Sequence, residues 1–298
     1  MLYNTLHKLK ISHILSRNFL TEKFLPFKLL YKLVRRLNWS KKVRRNGADF
    51  TVLIKDGMGM MNFVSNYENW LDKILPKLIE KGDAVFVDIG ANTGQTMIKV
   101  LPRFPEVRYF AIEPNEHCVR YLEALSEANK FKHVKIFECA LSDSDGEAEL
   151  LTRYQDDILA TTTHSFRKFT KYAIKKRVRM TTGDVLLKQE NLTEVAVIKV
   201  DIEGGEAMAI NGLLNTIRNF QPYIICEINP LPTEDKGVTE FRTMSANKIF
   251  ANLHDLDYTA INIVTRHQVN RIEDLSVSLE SCNYLFLPKR RVHFLDLN

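Results

Sequence analysis

The chain has 298 residues, 45% of them hydrophobic and 26% charged, so it can bury a core as one large or two ordinary domains. No unbroken hydrophobic run exceeds four residues, which argues against a membrane span or a signal-peptide core. Its four cysteines are scattered without metal-binding spacing, and the composition therefore predicts a cytoplasmic protein.

The net charge of +6 is unevenly distributed along the chain. Residues 1–48 contain twelve Lys or Arg and one acid, so they carry +11 and the remaining 250 residues carry −5. In Phe24–Trp39 four basic residues fall at helical spacing and leave a wide apolar face: Lys28, Lys32, Arg35 and Arg36. We therefore divide the chain into a basic amphipathic helical extension, 1–48, and a globular domain, 49–298.

Two interpretations of this extension remain open. A basic amphipathic helix can lie on an anionic membrane surface, which would make the protein peripheral at the inner membrane face. Alternatively, the helix docks on the globular domain with its lysines in water. Nucleic acid is not expected as a partner, because exposed aromatic residues are not interleaved with the basic ones.

Residues 50–80 predict a short strand and a helix that lead to the first long hydrophobic segment. The strand covers Phe50–Ile54, a turn follows at Asp56-Gly57, and the helix runs from about Glu68 to Glu80.

The stretch Val85–Gln95 predicts a buried parallel strand, a glycine-rich turn and the start of a helix. Its apolar residues do not alternate with polar ones, as expected where helices cover both faces of a sheet. Gly90 and Gly94 allow a sharp turn and the close approach of a ligand, and the helix N-terminus points at the same space. Asp88 would repel a pyrophosphate, and the middle glycine of the dinucleotide fingerprint is absent. A cationic ligand such as S-adenosylmethionine therefore fits better than a nicotinamide dinucleotide.

A second strand, Val107–Ile112, ends in Glu113-Pro-Asn115. An acid at the end of the second strand of such a sheet can accept both hydroxyls of a ribose. The alternative is an acid that merely occupies the turn between this strand and the next helix, His117–Ala128.

The third predicted strand, His133–Cys139, ends at Ala140 and Leu141. Ligands of open α/β sheets lie outside the carboxyl ends of the strands, and these small or apolar side chains suit a flat adenine ring. Asp143–Gly146 then predicts a hairpin turn that leads into a strand at Glu147–Thr152.

Seven basic residues and no acid occur between Arg167 and Arg179. Such a run is by default a solvated face. In this part of the chain it could also overhang the site, where it would attract a phosphate-bearing acceptor.

Acidic residues gather after the fourth and fifth predicted strands. Val195–Val200 is followed by Asp201, Glu203 and Glu206, and Pro222–Glu227 ends in a further acid. Clustered carboxylates at neighbouring strand ends either raise one another's pKa, which gives a base, or bind a divalent cation. Asp201 and Glu203 are therefore candidate bases or metal ligands, with Glu227 beside them. Glu206 is expected to fix the loop or to cap the next helix.

With this last motif, the sequence resembles the FkbM family of class I S-adenosylmethionine-dependent methyltransferases. Four segments carry the resemblance in the family's order and spacing, over roughly residues 50–290: Asp88–Gly94, Glu113–Asn115, Ala140–Asp143 and Lys199–Glu206. The sequence departs from the family at Gly183, where the T-L-D segment becomes Thr182-Gly-Asp184.

The resemblance implies an α/β, Rossmann-like sheet of strand order 3-2-1-4-5-7-6, with strand seven antiparallel and helices on both faces. Met244–Leu256 is then the last helix, and Tyr258–Val264 and Asn283–Leu287 are strands six and seven.

The resemblance also implies a binding site for S-adenosylmethionine. Glu68, before the first motif, stands where a family acid can reach the cofactor's amino end, although a surface acid near a helix start would look the same. The residues expected to bind the cofactor are Glu68, Asp88, Gly90, Asn92, Gly94, Gln95, Glu113, Pro114, Asn115, Ala140 and Leu141.

We interpret the chain as an O-methyltransferase that acts on a hydroxyl of a saccharide or saccharide-bearing intermediate. The catalytic candidates Asp201, Glu203 and Glu227 would remove the acceptor's proton directly or through a bound divalent cation. The alternatives are a methyltransferase of another small natural product and a non-catalytic, membrane-associated protein of the same fold.

Overall fold

The computed structural model describes residues 38–45, 47–63, 68–79, 84–152, 157, 160–163, 165–166 and 174–294. All but the last two residues of the predicted basic helix Phe24–Trp39 lie outside these ranges, and Trp39 begins a strand instead. Strand β1 (Trp39–Arg45) pairs antiparallel with β2 (Ala48–Ile54), so the boundary drawn after residue 48 falls inside a two-stranded ribbon.

A mixed sheet of eight strands forms the centre of the molecule. Its strands are β3 (Val85–Ile89), β4 (Arg108–Ile112), β5 (Val134–Phe137), β9 (Val197–Val200), β10 (Tyr223–Glu227), β11 (Tyr258–Asn262), β12 (Gln268–Val269) and β13 (Asn283–Pro288). Their order is β12-β11-β13-β10-β9-β3-β4-β5. The strands from β5 to β10 are parallel, and β13 is antiparallel to both of its neighbours. The predicted order 3-2-1-4-5-7-6 is thus confirmed, with the two-residue β12 added at one edge.

Helices cover both faces of this sheet. They are α1 (Asn69–Leu78), α2 (Met97–Val100), α3 (Glu116–Asn129), α4 (Gly183–Lys188), α5 (Glu206–Asn211), α6 (Leu214–Phe220) and α7 (Lys236–His254). Short 3-10 helices occur at Met60–Phe63, Ile272–Asp274, Leu279–Ser281 and Lys289–Phe294. Residues of α1, α2 and α3 form one hydrophobic cluster with the sheet, and residues of α4 to α7 form the other. The last helix begins earlier than predicted, because the side chain of Asp235 caps it by accepting a hydrogen bond from Val238 N.

A second, three-stranded sheet corrects the prediction of a hairpin after the third strand. Strands β6 (Ala140–Ser142) and β7 (Gly146–Thr152) do not pair with each other, because β8 (Ile174–Thr182) lies between them. Met180 stands opposite Ala140 on one side and Gly146 on the other. The turn at Asp143–Gly146 therefore carries the chain across β8.

The basic run around β8 is described from residue 174 onwards. Within β8, Lys175 and Arg177 form ion pairs of 3.0 and 3.7 Å with Glu149 and Glu147 of β7. Lys176 lies 2.7 Å from Glu116 in the first turn of α3. These three bases face acids on neighbouring elements, as expected for a solvated face.

Two further features concern the cysteines and the helices. The four cysteines are buried and none forms a disulfide. Among the helices of the described residues, none has the length and hydropathy that crossing a membrane requires.

Candidate active site

Four neighbouring strands bring acidic residues to one edge of the central sheet. Asp88 lies in β3, Glu113 follows β4, Asp201 follows β9, and Glu227 ends β10. The four strands are parallel and adjacent, so their carboxyl ends meet at the same edge. This edge is where ligands bind in open α/β sheets.

The glycines of the turn after β3 are needed for packing within the protein. Gly90 has φ +86°, and a Cβ there would overlap the carbonyl oxygen of Asp201. Gly94 has φ +75°, and its Cβ would lie 2.7 Å from Leu125 Cδ2 in α3. The space that a Cβ would take at these two glycines is occupied by the β9 exit and by α3, and the close approach of a ligand to the turn stays a prediction. Asn92 between them also has a positive φ, of 47°.

Glu113 joins this turn to the end of β4. Its Oε2 accepts a hydrogen bond of 2.9 Å from Asn92 N, and its Oε1 accepts one of 2.9 Å from Asn115 N. Asn115 in turn caps α3 by accepting a hydrogen bond from His117 N. Burial raises the pKa of Glu113 to about 7 although the two backbone N–H groups oppose the rise. The structure thus holds a buried carboxyl group of fixed orientation where the sequence predicted a ribose acceptor.

Asp88 is fully buried beside this turn. Its Oδ2 accepts a hydrogen bond from the hydroxyl of Tyr109, whereas its Oδ1 has no hydrogen-bond partner. Burial raises its pKa to about 6, and the ammonium of Lys199 is the strongest influence in the other direction. A buried oxygen without a donor is the feature that a cationic or hydrogen-bonding ligand would satisfy.

Lys199 belongs to the Lys199–Glu206 motif, but the sequence assigns it no role. It lies in β9 with only 3% of its surface exposed. Its Nζ is 3.1 Å from Asp201 Oδ2 and 3.7 Å from Glu68 Oε1. A lysine inside an otherwise apolar buried strand is the signal that could have revealed it, since a buried ammonium requires a charged partner.

Glu68 lies close to this edge of the sheet, where it forms an ion pair with Lys199. It immediately precedes α1 and has the left-handed conformation, with φ 46° and ψ 43°. Its side chain is 8% exposed, and burial raises its pKa while Lys199 opposes the rise. The structure therefore brings Glu68, Asp88 and Asp201 together around one lysine.

The loop after β9 is held by Glu206, as the sequence analysis expected. The carboxylate of Glu206 accepts hydrogen bonds from Ile202 N at 3.2 Å and from Gly204 N at 3.0 Å. Burial raises its pKa to about 7. Glu203, between these two donors, has φ 59° and is 6% exposed.

Residues between β7 and β8 contact this loop, and no motif in the sequence predicts the contact. Thr161 Oγ1 donates a hydrogen bond of 2.7 Å to the carbonyl oxygen of Glu203. The ring of Phe166 fills the place that a Cβ at Gly204 would take. Arg242 of α7 holds Phe166 by a hydrogen bond of 3.3 Å to its carbonyl oxygen and by its guanidinium, 5.0 Å from the ring centre.

The remaining predicted residues lie around these groups. Gln95 and Pro114 are half-buried, in the turn before α2 and after β4. Ala140 and Leu141 are buried in β6 within hydrophobic clusters, and their contact with an adenine ring stays a prediction. The carboxylate of Glu227 accepts a hydrogen bond of 3.0 Å from Asn229 Nδ2.

The sequence leaves a divalent cation possible, and the described part of the chain shows no recognisable site for one. No three side chains of His, Cys, Asp or Glu are grouped there in a way that could hold a metal ion. Asp201 pairs with Lys199, Glu206 binds backbone N–H groups, and Glu227 binds an amide. These three carboxylates accept hydrogen bonds from donors within the protein, and the assignment of Asp201, Glu203 and Glu227 as metal ligands stays a prediction.

Comparison with known proteins gives a family and several similar folds. Residues 88–284 match the model of the methyltransferase FkbM domain. Ribosomal RNA small subunit methyltransferase G of Mycoplasma mobile is 30% identical over 118 residues, which are 39% of this chain and 48% of that protein. The chain thus spans about half the length of the curated relative it matches.

Two solved structures are similar at low identity. The FkbM methyltransferase of Methylobacillus flagellatus is 15% identical with a TM-score of 0.43, over 69% of this chain and 44% of that one. An S-adenosylmethionine-dependent O-methyltransferase of Thermotoga maritima is 12% identical with a TM-score of 0.39, over 83% and 76% of the two chains.

Proposed function

Because the chain belongs to the FkbM family of methyltransferases, we propose that it transfers a methyl group from S-adenosylmethionine to a hydroxyl of a saccharide or saccharide-bearing intermediate. The observation that carries the cofactor assignment is the carboxyl group of Glu113, oriented by Asn92 N and Asn115 N at the end of β4. A carboxylate so placed accepts hydrogen bonds from the two hydroxyls of a ribose.

The other residues of the turn fit the same cofactor. Asp88 offers a buried oxygen without a hydrogen-bond donor, and Glu68 offers a second carboxyl group for the cationic amino end. When bound, S-adenosylmethionine supplies an electrophilic methyl group on a positively charged sulfur. The residues of this chain have to bind and orient it, exclude water and accept the acceptor's proton.

Asp201 and Glu203 are the proposed acceptors of that proton. Both follow β9, one strand away from Asp88, and the loop that carries them is fixed by Glu206. Thr161 and Phe166 contact this loop at the Glu203 carbonyl and at Gly204. An alcohol has a pKa far above neutrality, so a positioned carboxylate assists its attack on the methyl group.

Calorimetric titration with S-adenosylhomocysteine tests the cofactor assignment. We expect micromolar binding by the wild type and a loss of at least about tenfold in Asp88→Ala and Glu113→Ala, since each removes a charged hydrogen-bonding group. Glu123→Ala, on the exposed side of α3, is the matched control and should bind like the wild type. A wild type that does not bind would refute the assignment.

The acceptor is then sought by mass spectrometry, with the enzyme, S-adenosylmethionine and a panel of saccharides with and without phosphate. A methylated saccharide that Asp201→Asn and Glu203→Gln both fail to form supports the proposal. Transfer only to non-saccharide acceptors contradicts the saccharide class while leaving the cofactor assignment intact.

A further inference from the structure

Asn62 connects the turn after β3 to a part of the chain that precedes the family match. It lies in the 3-10 helix Met60–Phe63 and is 2% exposed, whereas the match covers residues 88–284. Its Nδ2 donates a hydrogen bond of 2.7 Å to the carbonyl oxygen of Thr93. A side chain from outside the match thus binds the backbone of the turn proposed to hold the cofactor.

The same amide group also binds α3 and, through it, β2. Asn62 Nδ2 donates a second hydrogen bond, of 3.1 Å, to the hydroxyl oxygen of Tyr121. That hydroxyl in turn donates a hydrogen bond of 2.8 Å to the carbonyl oxygen of Leu53. Because the Thr93 carbonyl can only accept and the Tyr121 hydrogen is already donated, the nitrogen of the Asn62 amide has to face both oxygens. The orientation of the side chain is therefore fixed.

The oxygen of this amide has no such contact. Among the described residues, Asn62 Oδ1 is a buried acceptor without a hydrogen-bond partner. Burial of an acceptor without a donor disfavours the folded state, and this cost opposes the gain from the two donated hydrogen bonds. We therefore expect Asn62 to contribute little to the stability of the protein as a whole.

The backbone of the turn depends on contacts from several sides. Asn92 has a positive φ of 47°, a conformation that costs free energy outside glycine and persists where surrounding contacts enforce it. Its N–H is bound by Glu113 Oε2, and its own Oδ1 accepts a hydrogen bond of 2.7 Å from Thr93 N. The next carbonyl, that of Thr93, is bound by Asn62. Asn62 therefore completes the contacts that hold Asn92 in this conformation.

Resting on the function proposed above, we propose that Asn62 is a positioning residue of the cofactor site, which holds the Thr93 carbonyl and thereby keeps the turn 90–94 in the conformation that binds S-adenosylmethionine. In this role Asn62 acts through the backbone of Thr93 and not by touching the cofactor. Cofactor binding then depends on a residue that the family match does not include.

Asn129 offers a matched control, because it joins the same ribbon to α3 at a different place. Its side chain exchanges hydrogen bonds of 2.6 and 2.9 Å with the backbone of Thr51 in β2 and donates another to the carbonyl oxygen of Leu125. Asn129→Ala therefore loosens the ribbon and leaves the hydrogen bonds of Thr93 in place.

Calorimetric titration with S-adenosylhomocysteine, well below the melting temperature, compares the two variants with the wild type. We expect Asn62→Ala to bind about fivefold or more weakly, the effect of one lost hydrogen bond, and Asn129→Ala to bind within about twofold of the wild type. Thermal unfolding should give the reverse order, with the larger fall of Tm in Asn129→Ala, since only Asn62→Ala also removes a buried oxygen without a donor.

Amide hydrogen exchange without ligand supplies a readout that a general loss of stability would not produce. In Asn62→Ala, exchange should become faster in the turn 90–94. In Asn129→Ala, exchange should become faster in β2 and stay at the wild-type rate in the turn.

Asn62→Asp keeps the shape of the side chain but has no N–H to donate, so it decides if Asn62→Ala does not fold. Wild-type affinity in a folded Asn62→Ala or Asn62→Asp, or an equal loss of affinity in Asn129→Ala, overturns the proposal and leaves Asn62 a structural residue. A wild type that does not bind S-adenosylhomocysteine overturns the proposed function instead, so the two failures are distinguishable.

Discussion

Glu206 shows at the scale of one residue how a buried carboxyl group shapes this site. It binds the N–H groups of Ile202 and Gly204 and thereby closes the loop that carries Asp201 and Glu203. Burial raises its pKa to about 7, against an ordinary value of 4.5. An acid whose folded pKa is raised contributes stability that is fully present below about pH 4.5, and this contribution is lost as the pH rises through about 7.

This linkage predicts a pH-dependent difference between the wild type and Glu206→Gln. The amide keeps an oxygen for both N–H groups but does not ionise, so its contribution stays constant. Between pH 5 and pH 8 the free energy of unfolding of the wild type should fall by roughly 2–3 kcal/mol relative to that of the variant. Urea denaturation of both proteins at the two pH values measures the change. A constant difference would mean that Glu206 titrates in its ordinary range.

At the scale of elements, the turn after β3 and the loop after β9 pack against each other. The turn after β3 and the exit of β9 approach so closely that a side chain at Gly90 has no room beside the carbonyl of Asp201. The positive φ of Gly90 adds a second reason for glycine. The turn proposed to bind the cofactor and the loop proposed to bind the acceptor therefore pack directly against each other.

A comparison of Gly90→Ala with Gly47→Ala separates the lack of space from the positive φ as reasons for glycine. Both glycines have similar φ values, +86° and +82°, but a Cβ at Gly47 meets no atom within 4 Å. Gly47→Ala should therefore cost only the backbone strain, about 1–2 kcal/mol. Gly90→Ala adds a clash with a backbone that cannot move freely, and should cost at least about 3 kcal/mol more. Urea denaturation measures both, and equal losses would show that the close approach is unimportant.

Arg242 links α7 to the segment that contains Phe166. Its guanidinium donates to the carbonyl oxygens of Phe166 and Pro230 and lies on the Phe166 ring. We expect Arg242→Met to lose about 1–3 kcal/mol of stability, because the part-buried carbonyls lose their donors. Lys248→Met on the same helix removes only an exposed pair with Asp143 and should change stability by less than about 0.5 kcal/mol. Thermal unfolding compares them; similar losses would contradict a holding role for Arg242.

At the scale of the whole molecule, the sequence predicts what depends on local pattern. Unbroken apolar segments predict the individual strands, the family resemblance implies their order, and the acids at the carboxyl edge follow from the strand ends. The partners of Lys199 cannot be predicted this way, since Glu68 lies in a distant element. The place of β8 between β6 and β7 also depends on pairing over long sequence separation, which turn residues do not encode.

The uneven distribution of charge along the chain is also a property of the whole molecule. The basic extension lies mostly outside the described residues. Vesicle binding separates the two interpretations given for it, a helix on a membrane and a helix docked on the domain. At low salt we expect the wild type to co-sediment with vesicles that contain anionic lipid. A variant with Glu at Lys28, Lys32, Arg35 and Arg36 should bind at least about 100-fold more weakly, at roughly 1 kcal/mol per basic residue. Neutral vesicles are the control, and unchanged binding of the variant would favour a helix docked on the domain.

The position of β8 also constrains the order in which the chain can fold. β6 and β8 are parallel, and Ala140 pairs with Met180, so this contact waits for the chain between them to be made and closed into a loop. During synthesis the edge of β6 that β8 later covers is therefore open until β8 has been made. Such edges invite pairing with other chains, and short strands reduce that hazard. With only three residues, β6 offers a nascent neighbour little to pair with.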